Sequence, residues 1–491
     1  MAKIYNSLAE WENAVKVYLD NDDPIPEHLA AQEQRLRDLE KEKSKTPIYS
    51  KLEDISKFKP YSEVFKKCVN DTVEQLLDNS ENAKQPGLLL GKIQCGKTNT
   101  FVNIIGYAFD RGIDIAVVFT KGTNALATQT TARLKKEFAV FARTEKITGL
   151  PVVEVFDIKD LKDVKLTNDE INTQHTIIVC KKEDNNLNWL TKRFTEDNPI
   201  LRKKKTIIID DEADFASINF FKKEGRWHSA VVTQQIQDFI DIPEYCRYLQ
   251  VTATPYALFL QPNDVLNLEN GVVKPFVPRF TTIVPTHNKY IGGQQYFTEA
   301  QDPESMYSYL YYPVSDDCII KLKTKHLAYK NKILTLHKIE GFRRALLTYM
   351  MAAVIRKIQS EGVLNYRSSC ILHLDVTIDK HDWQYMLTNE FFDKIKEQLN
   401  GEPIAEISEM MQSIYEDFRQ SNEAGNNQGL INLRFPDYAT VIDELRKALN
   451  NEKYVINLVN SNQSVENLLN DNGQLKLKTL MNVFIGGSIL D

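Results

Sequence analysis

Six short apolar runs set the pattern of this chain: Gly87 to Leu90, Ile115 to Phe119, Val152 to Val155, Thr176 to Val179, Thr206 to Ile209 and Tyr248 to Val251. Most are rich in β-branched residues and nearly continuous, without the polar alternation of a half-solvated strand. Each therefore reads as a strand covered on both faces. Stretches at helical spacing lie between them. That alternation predicts an α/β fold, a mostly parallel sheet with helices on both faces, whose functional loops gather at the carboxyl edge of the strands.

Upstream, residues 1 to about 80 read as helical, with Leu29, Leu36 and Leu39 among charges, then Phe65 and Val69 ahead of Val73, Leu76 and Leu77. The charged stretch Gln32 to Lys45 reads as a solvent-exposed helix or a helical hairpin arm. From about 260 to 335 prolines, tyrosines and glycines are scattered without a period, the mark of an insertion or linker. Gly341 to Ile358 returns to helical spacing, and Cys370 to Leu374 reads as a strand beginning a second α/β domain. His373, alone in that apolar run, is expected to be a satisfied core residue. Asn422 to Gly429 reads as a flexible loop.

The loop after the first run carries the most specific chemistry. Gly91-Lys92-Ile93-Gln94-Cys95-Gly96-Lys97-Thr98 fits G-x-x-x-x-G-K-[ST] directly after an apolar strand. The glycines let the backbone curl so that its N–H groups face phosphate oxygens, and a helix starting near Lys97 turns its positive end toward the anion. Lys97 is expected to hold the β and γ phosphates of a nucleoside triphosphate, and Thr98 to offer its hydroxyl to Mg²⁺. Gly91, Gln94, Cys95, Gly96 and Asn99 complete the expected cradle.

Thr206 to Ile209 delivers Asp210-Asp211-Glu212-Ala213-Asp214 at a strand end. Acids held together directly after an apolar strand need a cation to offset their repulsion, and Mg²⁺ is the natural one. Asp211 is expected to hold it through water, and Glu212 to orient and polarise an attacking water. Further on, Tyr248 to Val251 runs into Thr252-Ala253-Thr254-Pro255, which taken alone is a common strand ending.

In this order, each at a strand end, the phosphate loop, the Asp-Glu-Ala-Asp box and Thr-Ala-Thr-Pro resemble the first motor domain of superfamily-two helicases and translocases. Their neighbourhood is similar to the bacterial Z1 domain, a helicase-like ATPase module found in restriction and phage-defence settings and often labelled an endonuclease. The similar residues are Leu90-Gly91 with Gln94 to Thr98, Asp210 to Asp214 with Ala216-Ser217-Ile218-Asn219, and Thr252-Ala253-Thr254-Pro255-Tyr256-Ala257. Asn124-Ala125-Leu126 with Gln129-Thr130 and Arg133, and Tyr290-Ile291-Gly292-Gly293, are similar as well. The resemblance spans roughly residues 85 to 491, and beyond the first motor domain it rests on Leu372-His373, Val459-Asn460-Ser461 and Ile485 to Asp491.

The resemblance implies a RecA-like P-loop ATPase, and with the helical reading of the first 80 residues the chain is expected to have four parts. Residues 1–80 would be an accessory helical segment, 81–260 the first RecA-like domain, 261–335 an insertion or linker, and 336–491 a partial second RecA-like domain. It implies ATP with Mg²⁺, a coupling role for Asp214, Thr252 and Thr254, and a nucleic acid partner, DNA by expectation, near Lys121, Thr123 and Arg133. In the family a Gly-Gly segment like Gly486-Gly487 leads into an Arg-Gly pair whose arginine reaches the nucleotide. Here the sequence stops at Asp491, so the expectation is a chain ending inside the second motor domain, with that residue supplied by a missing part or a partner. Two functions are then open. One is a motor that cycles ATP between two domains and moves along or remodels nucleic acid. The other is a switch in which ATP orders an interface with proteins of the same defence system, with little turnover.

Composition narrows the classes. With 491 residues, 42% hydrophobic and 26% charged, the chain has room for two or three cored domains. A formal net charge of −6 excludes a coat of basic surface but not a local groove, for which Arg202 to Lys205, Lys222-Lys223, Arg226 and the neighbouring Trp227 are further candidates. No apolar run approaches a membrane span, and Met1 to Tyr5 lacks a secretory core. The six cysteines are dispersed without a C-x-x-C pair, so reduced thiols in a cytosol are expected and a zinc frame is not. Cys95 reads as an inert small residue or an alkylation-sensitive one. Glu154, Asp157 and Lys159 are too generic a set to make a nuclease centre.

Overall fold

The computed structural model describes residues 8–20, 24–43, 45–57, 59–78, 85–121, 124–143, 149–162, 164–215, 220–223, 226–229, 231–261, 266–268, 271–273, 276–287, 289–360, 366–375, 377–459, 468 and 476–487. It divides into two compact units, residues 1–288 and 289–491.

The described strands of the first unit are β1 (Gly87–Leu90), β2 (Ile115–Thr120), β3 (Val152–Asp157), β4 (Gln174–Lys181), β5 (Thr206–Asp211), β6 (Phe220–Lys223), β7 (Arg226–Ser229), β8 (Cys246–Thr252), β9 (Leu266–Leu268), β10 (Gly271–Val273) and β11 (Phe280–Ile283). Seven of them form one sheet in the order β11-β1-β8-β5-β2-β4-β3, and every neighbouring pair in it is parallel. β6 with β7, and β9 with β10, are separate antiparallel hairpins.

Period-two alternation sorts the strand side chains between two cores. Ile207 and Ile209 face one side with Ala116, Val118, Leu249 and Val251, packed on Phe101, Ile104 and Ile105 of the helix Lys97–Asp110 and on Val69, Val73 and Leu76 of the helix Glu63–Leu77. Ile208 faces the other with Val117, Phe119, Ile178 and Tyr248, under Leu187 and Leu190 of the helix Asp184–Lys192 and Ile236 and Phe239 of the helix Val231–Ile240. Each fully buried Ile, Leu or Phe contributes roughly 1.5–3 kcal/mol. A one-residue slip would exchange these side chains between two differently shaped cores and misfit both, so the register at the sheet edge is fixed.

The strand order carries the functional consequence. β8 lies between β1, which leads into the phosphate loop, and β5, which ends in the acids. Its register sets Leu90 opposite Thr252 and Asp211 opposite Val251, so the three strand ends are level. This is the α/β, RecA-like P-loop arrangement, with helices on both faces.

Part of the stretch read as a linker belongs to the first sheet, because Phe280–Ile283 pairs with Gly87–Leu90 as an edge strand. Its scattered Thr and Phe positions hid that role, since an edge strand need not be apolar throughout. From Lys289 the same stretch falls in the second unit.

The second unit holds β12 (Ser368–Leu372), β13 (Tyr454–Val459) and β14 (Met481–Gly486) in the order β12-β14-β13, both pairs parallel. Its core joins Leu346, Met350 and Val354 of the helix Glu340–Gln359 to Phe391, Phe392 and Ile395 of the helix Ile378–Asn400 and to Val483 and Ile485 of β14. Two expectations are corrected here. β12 ends at Leu372, and His373 lies past it and is exposed, so it is not a core histidine. Asn422 to Asn427 is the last part of the helix Ala405–Asn427, not a flexible loop. The Asn422 and Asn426 amides donate to the Leu433 carbonyl at 3.0 and 2.9 Å, fastening the next segment to the helix. Among the described residues no helix is long and apolar enough to cross a membrane.

The helix Pro47–Ile55 is tied to the phosphate-loop helix by Asp110, whose carboxylate accepts the Ile48 and Tyr49 N–H groups at 3.0 and 2.8 Å. Thr46 at the N-cap makes no side-chain cap of its own, so the distant carboxylate replaces it. Burial pushes the Asp110 carboxyl up from 3.8 to about 6, against the pull of those two N–H groups. A group raised in this way contributes stability that is complete below its unfolded value and lost as pH rises through its folded one. The advantage of wild type over Asp110→Asn is therefore expected to shrink between about pH 4 and about pH 7.5, measured as the gap in urea midpoint. A gap that widens with pH would contradict this.

Candidate functional site

The phosphate loop is shaped by contacts that leave no room at its first glycine. Gly91 donates its N–H to the Thr252 carbonyl at 3.1 Å, and a Cβ there would meet Lys97 Cγ at 2.6 Å and Cys95 Sγ at 2.7 Å. Gln94 (φ 56°) and Gly96 (φ 103°) are left-handed, which bends the chain so that the helix Lys97–Asp110 starts at the strand edge. Glycine adopts that conformation freely and glutamine does not, so Gln94 is a strained point of the kind kept at ligand sites. Lys97 Nζ donates to the Lys92 carbonyl at 3.3 Å. Thr98 and Asn99, in the first turn, are half-buried. Burial raises the Cys95 thiol, with Lys97 opposing, so this cysteine is not an activated thiolate.

The acids of the second motif occupy different environments. Asp210 has no solvent exposure; its Oδ1 accepts Lys182 Nζ at 2.9 Å and its Oδ2 accepts the Tyr248 hydroxyl at 2.5 Å. Asp211 is pushed up to about 6, first by burial and then by Glu212, while Lys182 and Lys97 pull it down. That Lys97 acts on it places the loop lysine and this acid in one electrostatic neighbourhood. Glu212 is left-handed at φ 54°. Asp214 accepts the Thr252 and Thr254 hydroxyls, both at 2.6 Å, and the Thr254 N–H donates to Thr252 Oγ1 at 3.0 Å. Asp214, Thr252 and Thr254 thus form one hydrogen-bonded unit.

Lys182, next after β4, escaped the sequence reading. It is separated from the strand of Asp210 by three helical elements and matches no spacing rule. The only available signal is an apolar strand, Thr176 to Cys180, ending in Lys181-Lys182 at the sheet edge where ligands gather.

The donor set fits a hard divalent cation by its chemistry: a half-buried carboxylate oxygen donor, Asp211, beside a second acid, Glu212, and near the Thr98 hydroxyl of the loop. Among the described residues no group of three or more His, Cys, Asp or Glu is placed to hold a metal. A Mg²⁺ at Thr98 and Asp211 would therefore draw most of its ligands from phosphate and water. Two of the generic acids serve the backbone instead, Glu154 accepting the Arg143 N–H at 2.8 Å and Asp157 the Lys159 N–H at 2.9 Å.

The expected nucleic-acid residues divide. Lys121 leaves β2 at the carboxyl edge, its ammonium 5.4 Å from the centroid of the exposed Phe215 ring just past Asp214. Arg133 is half-buried on the helix Asn124–Glu137. Arg202 to Lys205 precede β5 and lie at the amino edge, the opposite end of the sheet. Thr123, Ala216 to Asn219, Asn460-Ser461 and Ser488 to Asp491 lie outside the described residues, as do the side chains of Asn124, Ala125, Lys222, Lys223, Arg226 and Trp227.

No protein-family model matches the sequence, and no curated protein matches it. Among solved structures, the chain is similar to the ATP-dependent Type ISP restriction-modification enzyme LlaBIII bound to DNA, at 10% identity over 87% of this chain and 24% of that one, TM-score 0.36. It is similar to Mycobacterium smegmatis helicase Lhr bound to ssDNA and AMP-PNP, at 11% identity over 87% of this chain and 48% of that one, TM-score 0.32. Mss116p bound to ssRNA and AMP-PNP is similar at 12% identity over 87% of this chain and 73% of that one, TM-score 0.32. The chain spans about a quarter and about half the length of the first two. Similarity this remote carries no chemistry across.

Crowding at Gly91 gives a direct test of the loop. Gly91→Ala is expected to weaken nucleotide binding by about tenfold or more, roughly 1.4 kcal/mol, because the new methyl must displace Lys97 or Cys95. Titration with a fluorescent ATP analogue reads it, and affinity within about twofold of wild type would contradict the geometry.

Proposed function

We propose that this chain binds ATP with Mg²⁺ at Gly91 to Asn99 and hydrolyses it as a helicase-like motor acting on nucleic acid, of the kind that Z1-domain proteins in bacterial restriction and phage defence represent. The observation that carries the reading is the convergence at one sheet edge of the phosphate loop, the Asp211-Glu212 turn and the Asp214-Thr252-Thr254 unit, across three level strand ends.

Each group then has a task. The loop N–H groups and Lys97 hold the phosphates, with Gly91 keeping the backbone close to them. Thr98 and Asp211 would hold Mg²⁺, which would supply charge neutralisation to the phosphates when bound. Glu212 orients the attacking water and accepts its proton. Asp214, bonded to Thr252 at the end of β8 and to Thr254 just past it, transmits a change at the acid turn to the strand between the two motifs. Lys121 and Arg133 are the proposed strand contacts, and DNA is the proposed polymer.

Steady-state ATP hydrolysis with and without single- and double-stranded DNA tests this. Turnover is expected to rise with DNA and to disappear in Lys97→Ala. In Glu212→Gln it is expected to fall ~10²-fold or more while ATP binding stays within a few-fold of wild type. ATP binding without turnover in wild type, with or without DNA, would overturn the motor reading and favour a partner-ordering switch.

A further inference from the structure

We propose that Lys182 is a positioning residue for hydrolysis, whose buried ammonium fixes the backbone from which Asp211 and Glu212 project. The role rests on reading this edge as an ATPase site.

Three consecutive residues turn an oxygen toward one nitrogen. Lys182 Nζ donates to Asp210 Oδ1 at 2.9 Å, to the Asp211 carbonyl at 2.9 Å and to the Glu212 carbonyl at 2.6 Å. An ammonium has three N–H donors, and here each has an oxygen within reach. The Lys182 and Asp210 side chains have 0% exposure each, so water does not compete for these bonds. The lysine backbone is itself anchored, its N–H donating to the Thr120 carbonyl at 2.9 Å.

A role limited to neutralising Asp210 would need one of these bonds, not three. The two carbonyl bonds act on the turn. Glu212 sits at φ 54°, a left-handed conformation that is unfavourable for an L-residue with a side chain. Such a conformation persists only where its surroundings impose it. The shortest of the three bonds falls on the Glu212 carbonyl, and that bond holds the peptide in its left-handed setting. The Asp214-Thr252-Thr254 unit grips the same turn from its far end. Between the two grips, Asp211 and Glu212 have little freedom to wander from the phosphate loop.

The test compares wild type with Lys182→Met and with Lys182→Met/Asp210→Asn, by steady-state ATP hydrolysis and fluorescent-nucleotide binding. The single variant leaves a charged carboxylate buried without its cation and is expected to lose folded protein; the double variant removes that charge and keeps neutral groups in place. In the double variant, folded by circular dichroism, kcat is expected to fall about 30-fold or more with nucleotide affinity within about threefold of wild type. A merely structural role would instead lower both together with the folded fraction. Turnover near wild type in the folded double variant overturns the proposal. Lys182→Arg is the second arm: it keeps a cation for Asp210 but sets its donors in a rigid fork. It is expected to lose kcat without losing affinity, and full turnover in it also overturns the role. A wild-type chain without any turnover that Lys97→Ala abolishes overturns the ATPase reading and this role together, whereas an active wild type beside an active double variant removes this role alone.

Discussion

A carboxylate cut off from water must be met by a cation or give up its charge, and Asp210 is where this sheet faces that demand. It is fully buried between β2 and β8, and Lys182 and Tyr248 supply its partners. Removing either ion of the Lys182–Asp210 pair leaves an uncompensated buried charge, at a cost of about 3–5 kcal/mol, while the Tyr248 hydroxyl satisfies the second carboxylate oxygen. Lys182 follows the end of β4, Asp210 lies near the end of β5 and Tyr248 lies within β8, so the contact ties three strands together just beneath the edge where the motif loops emerge. The acids that follow inherit a fixed origin. Asp210 is sealed and paired, Asp211 is half-buried with its carboxyl pushed up to about 6 by burial, and Asp214 accepts two hydroxyls. One acidic run thus places its carboxylates in three different environments, a sealed ion pair, a half-buried turn and a pair of hydroxyl partners.

That division of labour was only partly legible beforehand. Strands buried on both faces announce themselves as β-branched runs, which is why the sheet and its carboxyl edge could be read from residues alone. The phosphate loop was legible for another reason: its glycines answer a local steric demand that few other residues meet. Lys182 was not, because the contact that defines it joins residues whose neighbourhood exists only after four strands have paired. Phe280 to Ile283 was missed because its Thr and Phe positions alternate in exposure at a sheet edge, and such a segment lacks the continuous apolar signal. The asparagines near residue 425 misled in the opposite direction. Asn favours turns when its side chain serves its own backbone, but Asn422 and Asn426 bond the Leu433 carbonyl instead, and the helix continues through them.

The same geometry bears on where a polyanion could act. With net charge −6 the chain offers no general attraction to nucleic acid, so binding must come from a local arrangement of cations. Arg202 to Lys205 form the densest basic run near the motifs, yet they precede β5, and the acids follow it. A six-residue strand places the two ends ~20 Å apart. A contact there would have to act through the whole rigid sheet to reach the phosphate loop. Lys121 has a shorter route. It leaves β2 at the carboxyl edge and lies against Phe215, an exposed aromatic ring adjacent in sequence to Asp214. A cation beside a ring is the pairing that serves a phosphate and a stacked base. A strand held there would press on the residue next to the Asp214-Thr252-Thr254 unit, so a few dispersed residues at the right edge count for more than a cluster of four at the wrong one.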